Sequence, residues 1–298
     1  MPTWVLGELK KRMSGGRVIR LGGWFIPTVG NTIWSIETMH GLGASKFFYL
    51  SEEVVKDWGL PQDCLAEAIT SARFISTFMF TREDWERLKG EGRRVYMFMC
   101  HKPRSQLPKA VQDYINWGET ECRALLRRGR GVICSEITAC KKRAGARGFY
   151  GWYDLGGFIP TPIMAIRYPK YHPQFFLVKT PLATYHGIIA LIPRVRVRVG
   201  NWVFDPGEYR SIIGEVNNNV ELDEVEVKAL LAYLNSTFNW ILLEQSGRST
   251  SNGALVLDTN TLRELPLLNV KAIGRERVEE LARLFDELET EARRLASG

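Results

Sequence analysis

The sequence predicts an α+β protein with mixed, largely antiparallel sheets, flanking helices and a long C-terminal helix. Short β-rich segments separated by glycines occupy residues 17–50, and β-branched and aromatic residues dominate residues 152–205. Two amphipathic helical patterns then follow, at 228–244 and 275–295. With 298 residues, 45% of them hydrophobic and 24% charged, the chain can bury a substantial core.

The N-terminal half is predicted to alternate short strands with helices. Thr81, followed three residues later by Asp84, is a variant of the capping box and marks a helix start. The strands expected from composition are 18–19, 24–26, 33–36, 47–50 and 94–100, and the expected helices are 65–73, 82–89 and 108–128.

The β-rich middle contains four expected strands, at 163–166, 175–179, 185–192 and 195–203. In the last of them, Arg194, Arg196 and Arg198 alternate with three valines. A period of two puts the guanidinium groups on one face and the valines on the core face. Such an arginine ladder needs water or an anion opposite it, so we expect it to form a second wall of an anion-binding surface.

The two C-terminal helical patterns predict different roles. We interpret 228–244 as a buried scaffold helix in which Asn235 hydrogen-bonds core backbone. The helix from Arg275 to Leu295 carries a coiled-coil-like seam, which predicts binding to a catalytic subunit, self-association, or packing on the chain's own core. We expect a domain at 1–270, with two subdomains that divide near 120–150, and a separate helical segment at 271–298.

Positive charge is concentrated in one segment. Residues 101–150 contain eleven Lys or Arg and four Asp or Glu, and their excess of +7 equals the net charge of the whole chain. Aromatic residues are interspersed, including Tyr114, Trp117 and Tyr150. Charge gathered in this way predicts a surface that binds a polyanion, and nucleic acid is the first candidate.

No catalytic or metal-binding motif stands out. The five cysteines form no Cys-x₂₋₄-Cys pair, so a zinc site is not favoured and we expect reduced thiols. Glu226-Val227-Lys228 could belong to a metal-dependent nuclease, but it lies at a helix start, where charges usually cap. Phosphate-binding and dinucleotide loops are missing. With no apolar stretch typical of a signal peptide or a membrane helix, we expect a cytoplasmic protein.

Several short motifs follow one another along the chain. They are Gly43 to Phe48, Thr81 to Trp85, Trp152-Tyr153, Ile166-Arg167, Leu230 to Ser236, Gly247-Arg248, Gly253 and Leu262 to Pro266. In this order they resemble the target-recognition domains of N6-adenine DNA methyltransferases, especially those of type IIG restriction–modification enzymes. Gly43 to Phe48 is similar to the family's Thr-Gly-Ala-Asn-x-Phe-Phe segment.

The departures from the family define what the resemblance implies. Leu42 and Ser45 replace the threonine and asparagine of the first motif, and the Asn/Asp-Pro-Pro-aromatic tetrapeptide and the glycine-rich S-adenosylmethionine loop are missing. The resemblance therefore implies sequence-specific binding of double-stranded DNA. It places the methyl transfer and the S-adenosylmethionine on another domain or subunit, with no cofactor in this chain. Whether the chain is itself an enzyme is left undecided.

The charge and the resemblance together predict the DNA-binding residues. Phosphate contacts are expected from cations and groove contacts from residues with aromatic or short polar side chains. The predicted contacts are Lys46, Arg104, Arg128, Arg130, Lys141, Lys142, Arg143, Arg147, Tyr150, Arg248, Ser249 and Asn252.

Two alternatives stay open at this point. The first is a cryptic metal-dependent nuclease that uses Glu226. The second is a basic adaptor that binds an acidic protein or RNA, because charge alone does not choose among polyanions.

Overall fold

A computed structural model describes residues 15–125, 131–169, 172–246, 248–249 and 255–296. The α-helices in these ranges are α1 (Ile33–Thr38), α2 (Ser45–Phe48), α3 (Glu52–Trp58), α4 (Arg82–Gly90), α5 (Lys109–Thr120), α6 (Thr138–Ala144), α7 (Arg210–Ile213), α8 (Glu224–Leu234), α9 (Thr237–Ser246), α10 (Thr259–Glu264) and α11 (Arg275–Ala296).

The strands are short and distributed along the whole described chain. They are β1 (Val18–Arg20), β2 (Phe25–Val29), β3 (Tyr49–Leu50), β4 (Leu65–Ile69), β5 (Met79–Phe80), β6 (Tyr96–Phe98), β7 (Arg123–Leu125), β8 (Gly131–Ile133), β9 (Ile163–Ile166), β10 (Phe175–Val178), β11 (Ala183–Thr184), β12 (Ile188–Pro193), β13 (Arg196–Val199), β14 (Trp202–Phe204), β15 (Glu221–Leu222), β16 (Arg248–Ser249), β17 (Leu255–Val256) and β18 (Pro266–Leu268).

Two sheets organise the molecule. The larger has the order β2-β12-β9-β10-β5, and all its neighbours are antiparallel except β10 and β5. The second has the order β11-β4-β6-β3, in which only β11 and β4 are parallel. Together with the helices around them, these sheets confirm the predicted α+β class with mixed, largely antiparallel sheets.

The larger sheet separates two hydrophobic cores. Successive residues of β10 point to opposite faces, so Phe176 enters the first core and Phe175 the second. The first core is rich in aromatic side chains, among them Trp34, Phe47 and Tyr114. The second core contains aliphatic side chains from β12 and α8 and several from α11. Since the sheet is covered on both faces, its strands are apolar runs rather than alternating ones.

Two expected elements have the opposite secondary structure. Residues 33–36 lie in helix α1, whose start is capped by Thr32 accepting from Ser35 N, and are not a strand. Residues 65–69 form strand β4, which pairs with β6, instead of the start of a helix. Both predictions were wrong because tertiary pairing and a local cap outweigh the weak propensities of such short segments. The expected strand 47–50 is also helical at 47–48, and the expected helix 108–128 ends at Thr120, since residues 123–125 form strand β7.

The predicted scaffold helix is divided in two at Asn235. This residue ends α8, and its amide accepts from Phe175 N (2.9 Å) and donates to Phe175 O (2.8 Å) and Leu231 O (2.9 Å). The expectation that Asn235 hydrogen-bonds core backbone is confirmed. The side chain takes the place of a neighbouring strand at the edge of β10 and so connects the α8–α9 junction to the larger sheet.

The C-terminal helix packs against its own chain. Val278 and Phe285 are buried in the second core, next to α8. Glu289 accepts from Phe78 N at 2.7 Å, and Arg293 donates to Asp84 at 2.8 Å. The apolar seam of this helix thus packs on the chain's own core, which is the third of the three predicted roles. Self-association through the seam is not supported. Among the described residues, no helix is long and apolar enough to cross a membrane.

Four of the five cysteines are paired, in contrast to the expected reduced thiols. Cys64 is bonded to Cys100 and Cys122 to Cys134, whereas Cys140 is free and buried. The pairing follows from the strands: β4 and β6 bring Cys64 and Cys100 side by side, and β7 and β8 do the same for Cys122 and Cys134. The sequence separations of 36 and 12 residues carry no sign of this proximity.

Replacement of Phe285 by alanine should cost about 3–5 kcal/mol of unfolding free energy, because it leaves a cavity in the second core. Leu284, the adjacent residue on the same helix, is 48% exposed, and Leu284→Ala is the matched control. We expect the control to change stability by less than about 0.5 kcal/mol. Urea unfolding measures both, and equal effects would show that the helix does not pack as described.

The ion pair between α4 and α11 predicts a pH dependence. Burial by itself raises the pKa of Asp84, but hydrogen bonds from Arg293 and from the backbone of Thr81 outweigh burial and hold the pKa below its ordinary value. A folded pKa below the unfolded one gives stability that is present above the unfolded pKa and is lost as the pH falls through the folded one.

We therefore expect Asp84→Asn to lower the unfolding free energy by about 1–2 kcal/mol at neutral pH, between the values of exposed and buried pairs. The difference from wild type should vanish in acid. Urea unfolding across the acidic range measures it, with the exposed Asp57→Asn as control. A difference that persists below the folded pKa would contradict the assignment.

Candidate nucleic-acid interface

The basic segment is fixed to the rest of the chain by one buried arginine. Arg143, in α6, is fully buried, and its Nε donates to Trp152 O at 2.7 Å. Its Nη2 donates to Leu42 O at 3.0 Å. The guanidinium carbon lies 5.0 Å from the centre of the Trp34 ring and 4.9 Å from that of Phe48. Arg143 therefore joins α6 to two other segments. Contrary to the prediction, its buried guanidinium group is not available to contact DNA.

The charge of Arg143 is retained in this apolar site. Burial lowers its pKa to about 10, so the guanidinium is still protonated at neutral pH. The aromatic faces of Trp34 and Phe48 and the two carbonyl oxygens compensate part of the lost hydration, while Nη1 is buried without a hydrogen-bond partner in the described part of the chain. A planar group that donates in two directions and stacks on rings suits arginine, and lysine could not replace it.

Close backbone packing holds α6 against the loop at 41–44. Gly43 has a positive φ of 86°, and a Cβ atom placed there would lie 2.9 Å from Cys140 Sγ. The loop can approach α6 this closely only because residue 43 is glycine. Leu42 O also accepts from Arg143, so the loop and the helix form one rigid unit.

The other cations of this unit point outward. Lys141, Lys142 and Arg147 are exposed. Lys142 Nζ lies 3.2 Å from His40 Nε2, and none of the three forms a salt bridge with an acidic residue of the described chain. An exposed cation without a carboxylate beside it keeps its full attraction for an anionic ligand. These three residues fulfil the geometric requirement of the predicted phosphate contacts.

The arginine ladder differs in this respect. Val195, Val197 and Val199 are buried, Arg196 and Arg198 are exposed and Arg194 is half-buried, in line with the period-two pattern. Each guanidinium has an acidic neighbour, however: Glu215 for Arg194, Asp205 for Arg196 and Glu221 for Arg198. Glu221 lies in β15, whereas Asp205 follows β14 and Glu215 follows α7. The ladder is thereby neutralised, so its predicted role as a second wall of the anion-binding surface is not supported.

Lys46 and Arg104 flank the same unit in different ways. Lys46 is exposed, with its ammonium 5.8 Å from the centre of the Trp117 ring. Arg104 donates to both carboxylate oxygens of Glu119, at 3.0 and 2.8 Å, and Glu119 also accepts from Trp152 Nε1. Lys46 is therefore free to meet a phosphate, whereas Arg104 is engaged by Glu119.

Tyr150 belongs to a small cluster that the sequence did not reveal. Its side chain is 52% exposed, and its ring centre lies 4.9 Å from that of His101. The buried carboxylate of Asp154 binds His101 Nδ1 at 2.8 Å and accepts from Tyr150 N at 2.9 Å. Fifty-three residues separate His101 from Asp154, so no local spacing signals the cluster. The cluster fixes the backbone at Tyr150, three residues after the exposed Arg147.

The remaining predicted contacts cannot be placed as side chains. Arg248 and Ser249 form β16, which pairs with β17, but only their backbone lies in the described part of the chain. Arg128, Arg130 and Asn252 lie outside the described residues.

Comparison with known proteins finds a family that is similar to the part of the chain on which this site is built. A family model described as the C-terminal domain of the type II methyltransferase M.Eco57I matches residues 32–124. The match is confined to those residues, which are less than half of the chain. The matched range includes α1 to α5 and the loop at 41–44 that Arg143 binds, and it ends before the exposed cations of α6.

Two relatives extend the likeness beyond the M.Eco57I C-terminal domain. The type II methyltransferase M.AccI of Acinetobacter calcoaceticus is 22% identical over 248 residues, which are 82% of this chain and 37% of M.AccI. The crystal structure of the type IIG restriction endonuclease BpuSI matches with a TM-score of 0.50 and 13% identity, over 94% of this chain and 28% of BpuSI. The resemblance to type II and type IIG enzymes is confirmed. The chain corresponds to less than two fifths of either relative.

The residues proposed for the alternative sites have structural roles. Glu226 accepts from Asp223 N in the capping box of α8 and binds Lys271 at 2.6 Å. It is therefore engaged as a cap, as expected for charges at a helix start. Over the ranges that the structure describes, no three His, Cys, Asp or Glu side chains are grouped as metal ligands.

Replacement of Arg143 by methionine should lower the unfolding free energy by about 2–4 kcal/mol, because two buried carbonyls lose a charged donor. Lys142→Met, one residue away and exposed, is the control and should change stability by less than about 0.5 kcal/mol. Urea unfolding followed by tryptophan fluorescence reports both the free energy and the environment of Trp34 and Trp152. An unchanged midpoint for Arg143→Met would argue against its role as the joint.

Proposed function

We propose that this chain is the DNA target-recognition part of a type II restriction–modification methyltransferase and binds double-stranded DNA sequence-specifically. The observation that carries the proposal is the contrast in charge pairing. Lys141, Lys142 and Arg147 are exposed without carboxylate partners, whereas the arginines of the β13 ladder are each neutralised. The M.Eco57I family match supports a methyltransferase context for this surface.

The arrangement suits the two tasks of DNA recognition. Cations on a rigid support fix the register of the protein on the sugar–phosphate backbone, and Lys46, Lys141, Lys142 and Arg147 would make these contacts. Polar and aromatic edges then discriminate bases in a groove, and Tyr150, exposed three residues after Arg147, would contribute such an edge. The predicted contacts from Arg248, Ser249 and Asn252 belong to the same proposal.

Catalysis would come from another domain or subunit. The chain corresponds to 37% of M.AccI and 28% of BpuSI, which leaves room in such enzymes for a catalytic part that this sequence does not contain. That part would bind S-adenosylmethionine and receive the adenine flipped out of the duplex, while this chain holds the flanking DNA. The cytoplasm is the expected compartment for such a reaction.

The direct test is the salt dependence of DNA binding. Counterion release predicts that the logarithm of affinity falls linearly with the logarithm of salt concentration, with a slope of about −0.9 for each phosphate contact. The triple variant Lys141→Ser, Lys142→Ser, Arg147→Ser should therefore lower the magnitude of this slope by about 2.7. Fluorescence anisotropy of a labelled duplex measures it.

The matched control removes three exposed cations that lie elsewhere, by Arg210→Ser, Arg277→Ser and Arg283→Ser. It has the same net charge as the triple variant and should keep the wild-type slope. If wild type shows no affinity for duplex DNA at low salt, or if the two triple variants behave alike, the proposed function is wrong.

A further inference from the structure

We infer that a groove between β4 and the end of α4 is a second phosphate-binding site, which extends the DNA interface beyond α6. This inference rests on the proposed function and names a surface that the sequence motifs did not point to. The groove has a volume of about 740 Å³ and is lined by Thr70, Ser71, Arg73, Arg87, Arg93 and Arg94, among others.

The charge of the groove is strongly positive. Its wall has four arginines and one acidic residue, Glu91. Glu91 is shared by Arg87 at 2.8 Å and Arg93 at 3.3 Å. Arg73 and Arg94 are exposed and form no salt bridge with an acidic residue of the described chain. Like Lys141 and Lys142 in α6, these two side chains are exposed and have no carboxylate partner among the described residues.

The two unpaired arginines are held on fixed backbone. Arg73 lies in a single helical turn, Ala72–Phe74, and its N–H donates to the Ser71 hydroxyl at 3.3 Å. The carbonyl of Arg94 accepts from the Thr70 hydroxyl, and Ala68 N donates to Val95 O at 2.7 Å. The end of β4 and the residues before β6 are therefore tied together. The backbone at both arginines is therefore ordered before any ligand binds, so binding costs the rotamer freedom of the two side chains but little backbone entropy.

A continuous surface strip connects the groove to the cations of α6. Ala72, which lies between the groove residues Ser71 and Arg73, donates its N–H to the Tyr185 hydroxyl at 2.9 Å, and the Tyr185 ring is 5.3 Å from that of His186. His186 lies against the loop at 41–44, since a Cβ on Gly41 would be 4.0 Å from its Nδ1. His40 in turn contacts Lys142.

The strip itself is compatible with a nucleic-acid backbone. The residues named along it include no acidic side chain, and Gly41, His40 and His186 are exposed. Partial burial of the His186 ring and the nearby Arg167 lower its pKa, so that this ring is neutral at physiological pH and can donate or accept a hydrogen bond. One strand of a duplex could therefore follow the surface from Lys142 to the groove, where Glu91 is paired with Arg87 and Arg93.

The open shape and the separate guanidinium groups favour an extended phosphodiester over a small anion. A small anion needs several donors that converge on one point, whereas here two unpaired arginines come from different segments and face solvent. We assign the groove to the backbone phosphates of the bound duplex at the end distant from α6.

The test is the double variant Arg73→Ser, Arg94→Ser, compared with the control Arg277→Ser, Arg283→Ser, which removes two exposed cations from α11. Binding of a labelled 30-base-pair duplex is measured by anisotropy between about 50 and 200 mM salt. The groove variant should lower the magnitude of the slope by about 1.8, so that the ratio of wild-type to variant affinity falls about 12-fold across this range. The control should keep the wild-type slope, and thermal unfolding checks that both variants fold.

The outcomes separate the two proposals. If wild type binds DNA and the α6 triple variant loses slope while the groove variant matches its control, the groove inference is overturned and the proposed function stands. If wild type does not bind duplex DNA, the proposed function itself fails. Displacement of the duplex from wild type by millimolar inorganic phosphate at constant ionic strength, absent from the groove variant, would identify a small-anion site and also overturn the inference.

Discussion

The buried guanidinium of Arg143 is the interaction on which the candidate interface depends. It connects α6 to the nearby Trp152 and to the loop at 41–44, which is distant in sequence, through two carbonyl oxygens and two aromatic faces. A buried charge is costly, so loss of any of these contacts would destabilise the arrangement of its neighbours. That rigidity lets Lys141 and Lys142 project from a defined backbone. In the most positively charged segment, one buried cation therefore holds in place the backbone that carries the exposed cations.

Pairing of charges, more than their number, distinguishes the surfaces of this protein. The ladder of β13 has three arginines in regular array, yet Glu215, Asp205 and Glu221 neutralise them. In α6 and at Arg73 and Arg94 such carboxylates do not occur among the described residues. Surface ion pairs contribute little to stability, but they cancel the attraction of a cation for a polyanion. The exposed cations without a carboxylate partner among the described residues are fewer than the composition suggests. Those in α6 and in the groove lie at the two ends of the surface strip that runs from α6 to the groove.

The two hydrophobic cores support different parts of the molecule. The M.Eco57I-type region at 32–124 supplies most of the aromatic first core, against which the candidate interface is built. The second core, with α8 and α11, supports the opposite face of the larger sheet. Arg293 and Glu289 of α11 reach across to Asp84 and Phe78, so the C-terminal helix fastens the two halves together. A helix with an apolar seam can therefore be a structural brace as readily as a docking element.

The sequence by itself determined the fold class, the capping box at Thr81, the period-two burial of Val195 to Val199 and the need of Asn235 for backbone partners. The cap and the period-two pattern depend on residues near one another in the chain, where periodicity and local hydrogen bonds act directly. For Asn235 the sequence indicated the kind of partner, and the fold supplied Phe175, 60 residues away. Only the tertiary structure decided that Arg143 is buried, that the β13 arginines are neutralised, that four cysteines pair and that Tyr150, His101 and Asp154 meet. These outcomes depend on which distant residue lies beside each side chain. Periodicity carries no information about such neighbours, because solvation and charge pairing act through space.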